Sequence, residues 1–258
     1  MNELSDNLEA FLHEQYCVSL SNNQVISDTY VMADLLDDQK KVQIMNRHAN
    51  VLDDPPLAVV GSLFAKRFSV YCMAALSSIS LFDKQLPFSP DQIQFSIKKQ
   101  AQMMYQINRN TILTVTYQNA SERQQRIKDY IDHIQKQLVI IIESVSSYTR
   151  IHPTVMWSLI SHNLHNLYLR LNEKCMNTVF EQRLPYILQD RALLTDLIPT
   201  KRLTERFKYY CHPEQTDTFF YVRKHCCLAF KLNNSHGYCL TCPRISDLDR
   251  NELISKKI

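Results

Sequence analysis

The chain has 258 residues, 45% of them hydrophobic, and a formal charge of +3. Length and apolar content suit a globular protein with a large core, and the near-balanced charge excludes a strong nucleic-acid footprint. With two glycines in all, the chain has no Gly-rich phosphate loop and no dinucleotide fingerprint, which excludes NAD(P)H or FAD binding through those motifs.

In chain order, Leu4, Leu8, Phe11, Leu12 and Gln15 follow helical spacing and predict an amphipathic helix over residues 3–20. The acidic start, Met-Asn-Glu-Leu-Ser-Asp, predicts no secretory leader. Residues 28–50 read as partly helical, with Asp37 and Asp38 against Lys40 and Lys41 on a solvated face. Asp53-Asp-Pro-Pro56 is a break. A helix follows over Leu57–Leu81. Its apolar run is interrupted by Lys66 and Arg67, so it reads as a buried or amphipathic helix rather than a membrane span.

Over 92–117 the period changes to two. Ile93, Phe95 and Ile97 alternate with polar residues, and so do Leu113, Val115 and Tyr117. Both runs predict strands, paired in a small sheet. Ser121 opens a long helix to about Tyr148. His152-Pro153 breaks it, and Thr154 is a candidate cap for a helix to about Asn172. Another helix is expected over 174–194, bent near Pro185 and ended by Pro199. Phe219 with Tyr221, and Leu228 with Phe230 and Leu232, suggest short strands before and after an adjacent cysteine pair. Asp247–Lys256 reads as a terminal helix. The expected fold is α+β, mostly helical, with a small antiparallel sheet and a C-terminal cysteine-rich cluster-binding segment. Its parts are an N-terminal helical region (1–56), an α+β core (57–200) and the C-terminal segment (201–258), together one compact domain.

Four of the eight cysteines lie in that last segment: Cys226 and Cys227, an eleven-residue gap, then Cys239-x2-Cys242 followed by Pro243. Clustered thiolates select zinc, copper(I) or an iron–sulfur cluster. Zinc sites usually take two chelating C-x2-4-C knuckles, and here there is one. Neighbouring side chains on an extended strand point to opposite faces, so Cys226 and Cys227 reach one ion only through an unusual turn. Two irons relax that demand, and four cysteines are the full ligand set of a 2Fe–2S cluster. Gly237 permits a turn before the knuckle. Zinc, and free or disulfide-bonded thiols, stay open as alternatives, although the cysteine usage of so large a chain fits a reducing compartment.

Cys-Cys, a gap of about ten residues and Cys-x-x-Cys-Pro are the hallmark that this chain shares with the ferric-siderophore reductases of the FhuF type, which it resembles. The gap here is longer by one residue, and Asn233-Asn-Ser-His-Gly237 stands where the family has a Gly-rich turn. Two weaker stretches are also similar: Leu63–Leu76 with Pro87-Phe-Ser-Pro90, and His152-Pro-Thr-Val-Met-Trp157-Ser-Leu-Ile. The resemblance spans about residues 55–245. It implies a 2Fe–2S cluster on Cys226, Cys227, Cys239 and Cys242, and one-electron reduction of siderophore-bound Fe(III) in the cytoplasm. It also implies a ferric siderophore as substrate and peripheral contact with a siderophore importer at the inner face of the membrane. With no nucleotide-binding motif, the electron would come from a separate protein donor or a diffusible reductant.

Arg223, Lys224, Lys231 and Arg244 flank the cysteines and are candidates to attract an anionic chelate or an acidic donor; as ordinary surface charges they would do neither. Trp157, the only tryptophan, is a candidate substrate contact or a core residue. His225 is a candidate replacement ligand in the Rieske manner. His162 and His165 have metal-ligand spacing on a helix, against the commoner reading of exposed or capping histidines. Cys211-His212 lacks a partner in sequence, and Cys17, Cys72 and Cys175 read as small buried hydrophobes. Rival functions are a structural zinc module in an interaction protein and a siderophore-binding accessory protein without turnover. A cluster-bearing redox sensor lacks any DNA-reading helix or basic patch.

Overall fold

The structure is a computed structural model that describes residues 7–22, 29–196, 203, 206–215, 217–233 and 237–256. The expected start of the first helix at Glu3, the stop at Pro199 and the turn residues 234–236 lie outside the described residues.

The chain is mostly helical, with small sheets, and is α+β as its patterning predicts. Helix α1 (Leu8–Tyr16) is capped by Asn7, whose side chain accepts from the Glu9 and Ala10 amides. Strands β1 (Val18–Ser21), β2 (Tyr30–Val31), β4 (Gln94–Ile97) and β5 (Met103–Asn108) form one sheet in the order β1-β5-β4-β2. Its pairs are antiparallel except β1 with β5, which run parallel with Val18 opposite Tyr105. Two-stranded pieces add β3 (Lys84–Gln85) with β6 (Leu113–Thr114), and β7 (Lys208–Cys211) with β8 (Phe219–Val222). The remaining helices are α2 (Asp38–Asn50), α3 (Leu57–Phe82), α4 (Ala120–Thr149), α5 (Pro153–Cys175), α6 (Leu184–Asp196) and α7 (Asp247–Ser255).

Helix α3 is the spine. It packs most extensively on α5 and also touches α1, α2 and α4. By length and hydropathy it is apolar enough to cross a membrane, yet 67% of that stretch is buried inside the protein, as expected of a core helix. One apolar core runs from Phe11 through Phe64, Leu164 and Leu194 to Cys227. A small second cluster of Tyr210, Phe220, Val222 and Ile254 lies under β7, β8 and α7. Gly61 sits where α3 meets the end of α4. A Cβ there would lie 2.3 Å from Thr149 Oγ1 and 2.8 Å from Ile151 Cγ2, so only glycine allows this approach.

Several boundaries depart from the sequence reading. The first helix stops at Tyr16 because Cys17 turns into the left-handed region, φ 55°, and residues 18–21 join the sheet instead. The main second strand is Met103–Asn108, where the sequence pointed to 112–117; of that run only Leu113–Thr114 pairs, with both residues exposed. The expected helix over 174–194 starts at Leu184, with Pro185 in its first turn. Proline belongs there because its missing N–H is unneeded. Residues 229–231 form a 3-10 turn, not a strand. Asn119 caps α4 through the Glu122 amide. His152 Nδ1 caps α5 through the Thr154 amide, two residues before the Thr154 cap that the sequence suggested.

Far from the cysteines, four charges close on each other. Arg123 holds Asp190 bidentately (2.7 and 3.0 Å) and Arg183 holds Asp83 in the same way (2.7 and 2.8 Å). Both guanidinium groups lie over the Tyr186 ring, at 4.4 and 4.6 Å. Ser80 completes Asp190 at 2.7 Å.

Candidate functional site

Three elements carry the cysteine loops. Strand β8 delivers Arg223 and then the Cys226-Cys227 pair, and it is tied to α5: His162 Nε2 meets the Tyr221 carbonyl at 2.7 Å, and the Tyr221 amide donates to Asn166 Oδ1 at 3.0 Å. Helix α3 fixes the pair itself, since Ser62 Oγ donates to the Cys227 carbonyl at 2.7 Å. Helix α7 fixes the knuckle. Buried Arg250 donates to the Leu240 carbonyl (2.7 Å) and the Cys242 carbonyl (2.8 Å), while Asp247 balances its charge at 2.6 Å. Ser246 caps α7 by accepting from the Asp249 amide.

A left-handed turn follows the adjacent cysteines, which do not converge on one point. Leu228, next in the chain, has φ 58°, a conformation that costs an L-residue about 1 kcal/mol or more. Its amide points back to Cys226 Sγ at 3.4 Å. The Cys242 amide donates to the Cys239 carbonyl at 2.9 Å, closing the knuckle.

The four thiols then meet two by two. Cys226 Sγ lies 3.7 Å from Cys242 Sγ, and the Cys239 thiol hydrogen-bonds to Cys227. Among the described residues, no three His, Cys, Asp or Glu side chains gather tightly enough to hold a single ion. By the chemistry of the donor set, the four thiols match the ligand count of a 2Fe–2S group, which Cys226, Cys227, Cys239 and Cys242 would hold, and that of a structural zinc ion as well.

Electrostatics favour a negative group here. Arg223 is 4% exposed. Its Nη2 donates to Cys239 Sγ, its backbone amide donates to the Thr241 carbonyl at 2.9 Å, and its Nη1 has no partner. Among the described residues it forms no ion pair with a carboxylate; the groups that raise its pKa against the penalty of burial are Cys227, Cys239 and Cys242. The Cys227 thiol is held well below the usual range by the Cys239 hydrogen bond, with Arg223 and Lys66 adding to it, and the Cys239 thiol is driven up as the proton holder of the pair.

Cys239 also lines a half-open cavity of about 460 Å³, within the usual range for small-molecule sites. Val51, Leu52, Leu63 and Tyr238 supply apolar walls, and Lys66 and Arg67 supply charge. Sequence reading missed these two cations as site residues, although their interruption of an apolar helix was the signal. The flanking candidates fall elsewhere. Arg223 is a buried thiol contact and not a surface charge. Lys224 and Lys231 are exposed and do not line the cavity. Arg244 lies over the Phe230 ring, 5.2 Å from its centre, on the outer side. Trp157 is buried in the core and lines no part of the cavity.

The histidine alternatives are corrected too. His162 and His165 are neither exposed nor a metal pair: both are buried and bound to backbone carbonyls, Tyr221 and Leu203. His212 Nδ1 accepts from the Glu214 and Gln215 amides in a turn. Cys72 and Cys175 are buried as expected, whereas Cys17 is half-buried at the end of α1, its sulfur 3.3 Å from Gln102 Nε2. No protein-family model matches the chain, and no curated protein matches it.

Proposed function

We propose that this protein is a ferric-siderophore reductase in which Cys226, Cys227, Cys239 and Cys242 hold a 2Fe–2S cluster. The observation that carries the reading is a buried arginine with thiols, and no carboxylate, for partners, set beside a cationic cavity that one of those thiols lines. A 2Fe–2S cluster supplies electrons one at a time. Arg223, itself buried, offsets the negative charge of four ligated thiolates, two of which, Cys227 and Cys242, are buried with it. Lys66 and Arg67 draw an anionic or polar ferric chelate into the cavity, and the apolar walls exclude water around it. One electron converts the chelated Fe(III) to Fe(II), which hard oxygen ligands hold less firmly; a separate donor replaces that electron.

The test begins with protein purified without oxygen. Absorption is recorded before and after dithionite, with iron and zinc counted. The reading expects about two irons per chain, a spectrum that bleaches, and re-oxidation by added ferric siderophore. Colourless protein with about one zinc per chain would establish a structural zinc module instead. Tight siderophore binding without re-oxidation would establish an accessory protein. In the reductase, Lys66→Glu with Arg67→Glu should raise KM for an anionic ferric chelate about tenfold or more while the bleached spectrum is unchanged; an unchanged KM removes the cavity from the reading.

A further inference from the structure

The knuckle has a second open side. Leu240 and Cys239 line the cavity described above, whereas Thr241, between the two knuckle cysteines, lines a different cavity of about 340 Å³ against α5. Thr241 Oγ1 lies 3.8 Å from Cys239 Sγ, so an occupant of this second cavity is one residue away from a cluster ligand. Its α5 wall is a stripe at four-residue spacing: His162, Asn166, Arg170 and Lys174. Residues so spaced share one face of a helix.

The stripe has two halves. His162 and Asn166 are buried and hold the backbone of Tyr221. Arg170 is exposed and Lys174 half-buried. Neither forms an ion pair among the described residues, and no carboxylate lines the cavity. Like charges four apart on a helix repel by a few tenths of a kcal/mol. Leaving such a pair uncompensated, beside a cavity that Thr241 of the knuckle also lines, suits an anionic partner.

We propose that this face is where the electron donor docks, a small acidic protein that seats a carboxylate-rich surface on Arg170 and Lys174 and brings its redox centre over Thr241. The inference rests on the reductase reading above. The electron balance is simple: the donor is oxidised by one electron, the protein is reduced by one, and no bond or proton moves. Donor and ferric chelate then approach the knuckle from different sides and need not displace each other. The other cavity carries Asp53 beside its cations, and is the less suited of the two to an acidic surface.

The test uses the cluster-loaded full chain and a flavodoxin as the acidic one-electron donor. Two quantities are measured at low and high salt: binding of oxidised flavodoxin by calorimetry, and bleaching by reduced flavodoxin in stopped flow. Dithionite bleaching runs beside them. The expected result is binding and bleaching that weaken with salt, and a loss of tenfold or more in both for Arg170→Glu with Lys174→Glu, since steering of this kind is worth about 10–10³ in rate. Dithionite bleaching should be unchanged. The milder Arg170→Gln with Lys174→Gln should fall between. No reduction of the wild type by flavodoxin, salt-indifferent rates, or charge-reversal variants as fast as wild type would each overturn the proposal. A protein that dithionite itself does not bleach would overturn the reductase reading instead.

Discussion

Two ends of this molecule bury arginines, and they resolve the problem differently. At one end Arg123 and Arg183 meet Asp190 and Asp83 in bidentate pairs, with both guanidinium groups over the Tyr186 ring. Charge is matched locally, and a closed network ties α3, α4 and α6 together. At the other end Arg250 is matched by Asp247, but Arg223 meets thiols and a carbonyl in place of a carboxylate. A buried charge without a counter-charge is costly. The first end is matched in charge as it stands; the second is matched once its thiols carry negative charge.

The largest effect should come from breaking the finished network. Asp190→Ala leaves Arg123 buried without its principal partner and should cost roughly 3–5 kcal/mol in denaturant unfolding, with cluster content per folded chain unchanged. A loss under about 1 kcal/mol would mean that water or Asp83 replaces Asp190 readily, and the comparison would fail. At the other end Arg223→Gln should barely alter unfolding of the metal-free chain. It should instead lower the reduction potential of the loaded protein. A unit charge ~4 Å away is worth about 4 kcal/mol at an effective dielectric of ~20, so a shift on the order of 100 mV is expected. The sign follows from removing a cation that favours the added electron; spectroelectrochemistry showing an unchanged or raised potential would refute it. The smallest effect belongs to Ser62→Ala, which removes the α3 tether on the Cys227 carbonyl. It should cost about 1 kcal/mol and speed iron loss to a chelator, because α3 no longer holds the loop; unaltered release kinetics would show that the tether is not limiting.

Much of the architecture could be read from the chain alone. Helices α3, α4, α5 and α7 follow from apolar periodicity bounded by proline, asparagine and serine, because a core-facing stripe recurs every 3.6 residues regardless of what it packs on. The short strands were less legible. Lys84–Gln85 carries no alternation that distinguishes it from loop, and the alternation over 113–117 pointed to a longer strand than the Leu113–Thr114 pair that forms, because the pairing is decided by the partner. The parallel partner of Val18–Ser21 lies in residues 105–108, a contact that no local pattern encodes.

The candidate site divides in the same way. Composition and spacing singled out four cysteines, since thiol chemistry is a property of the residue and a knuckle is a property of three consecutive bonds. That Cys226 pairs with Cys242 and Cys227 with Cys239 follows from the left-handed turn at Leu228 and the hold of Arg250 on the knuckle carbonyls, which join segments far apart in the chain. The same holds for charge. Lys66 and Arg67 looked like a flaw in an apolar helix and Arg223 like a surface cation. Only the packing of α2, α3 and the cysteine loops turned the first two toward a cavity and sealed the third against sulfur, because burial and field are sums over neighbours that sequence distance does not reveal.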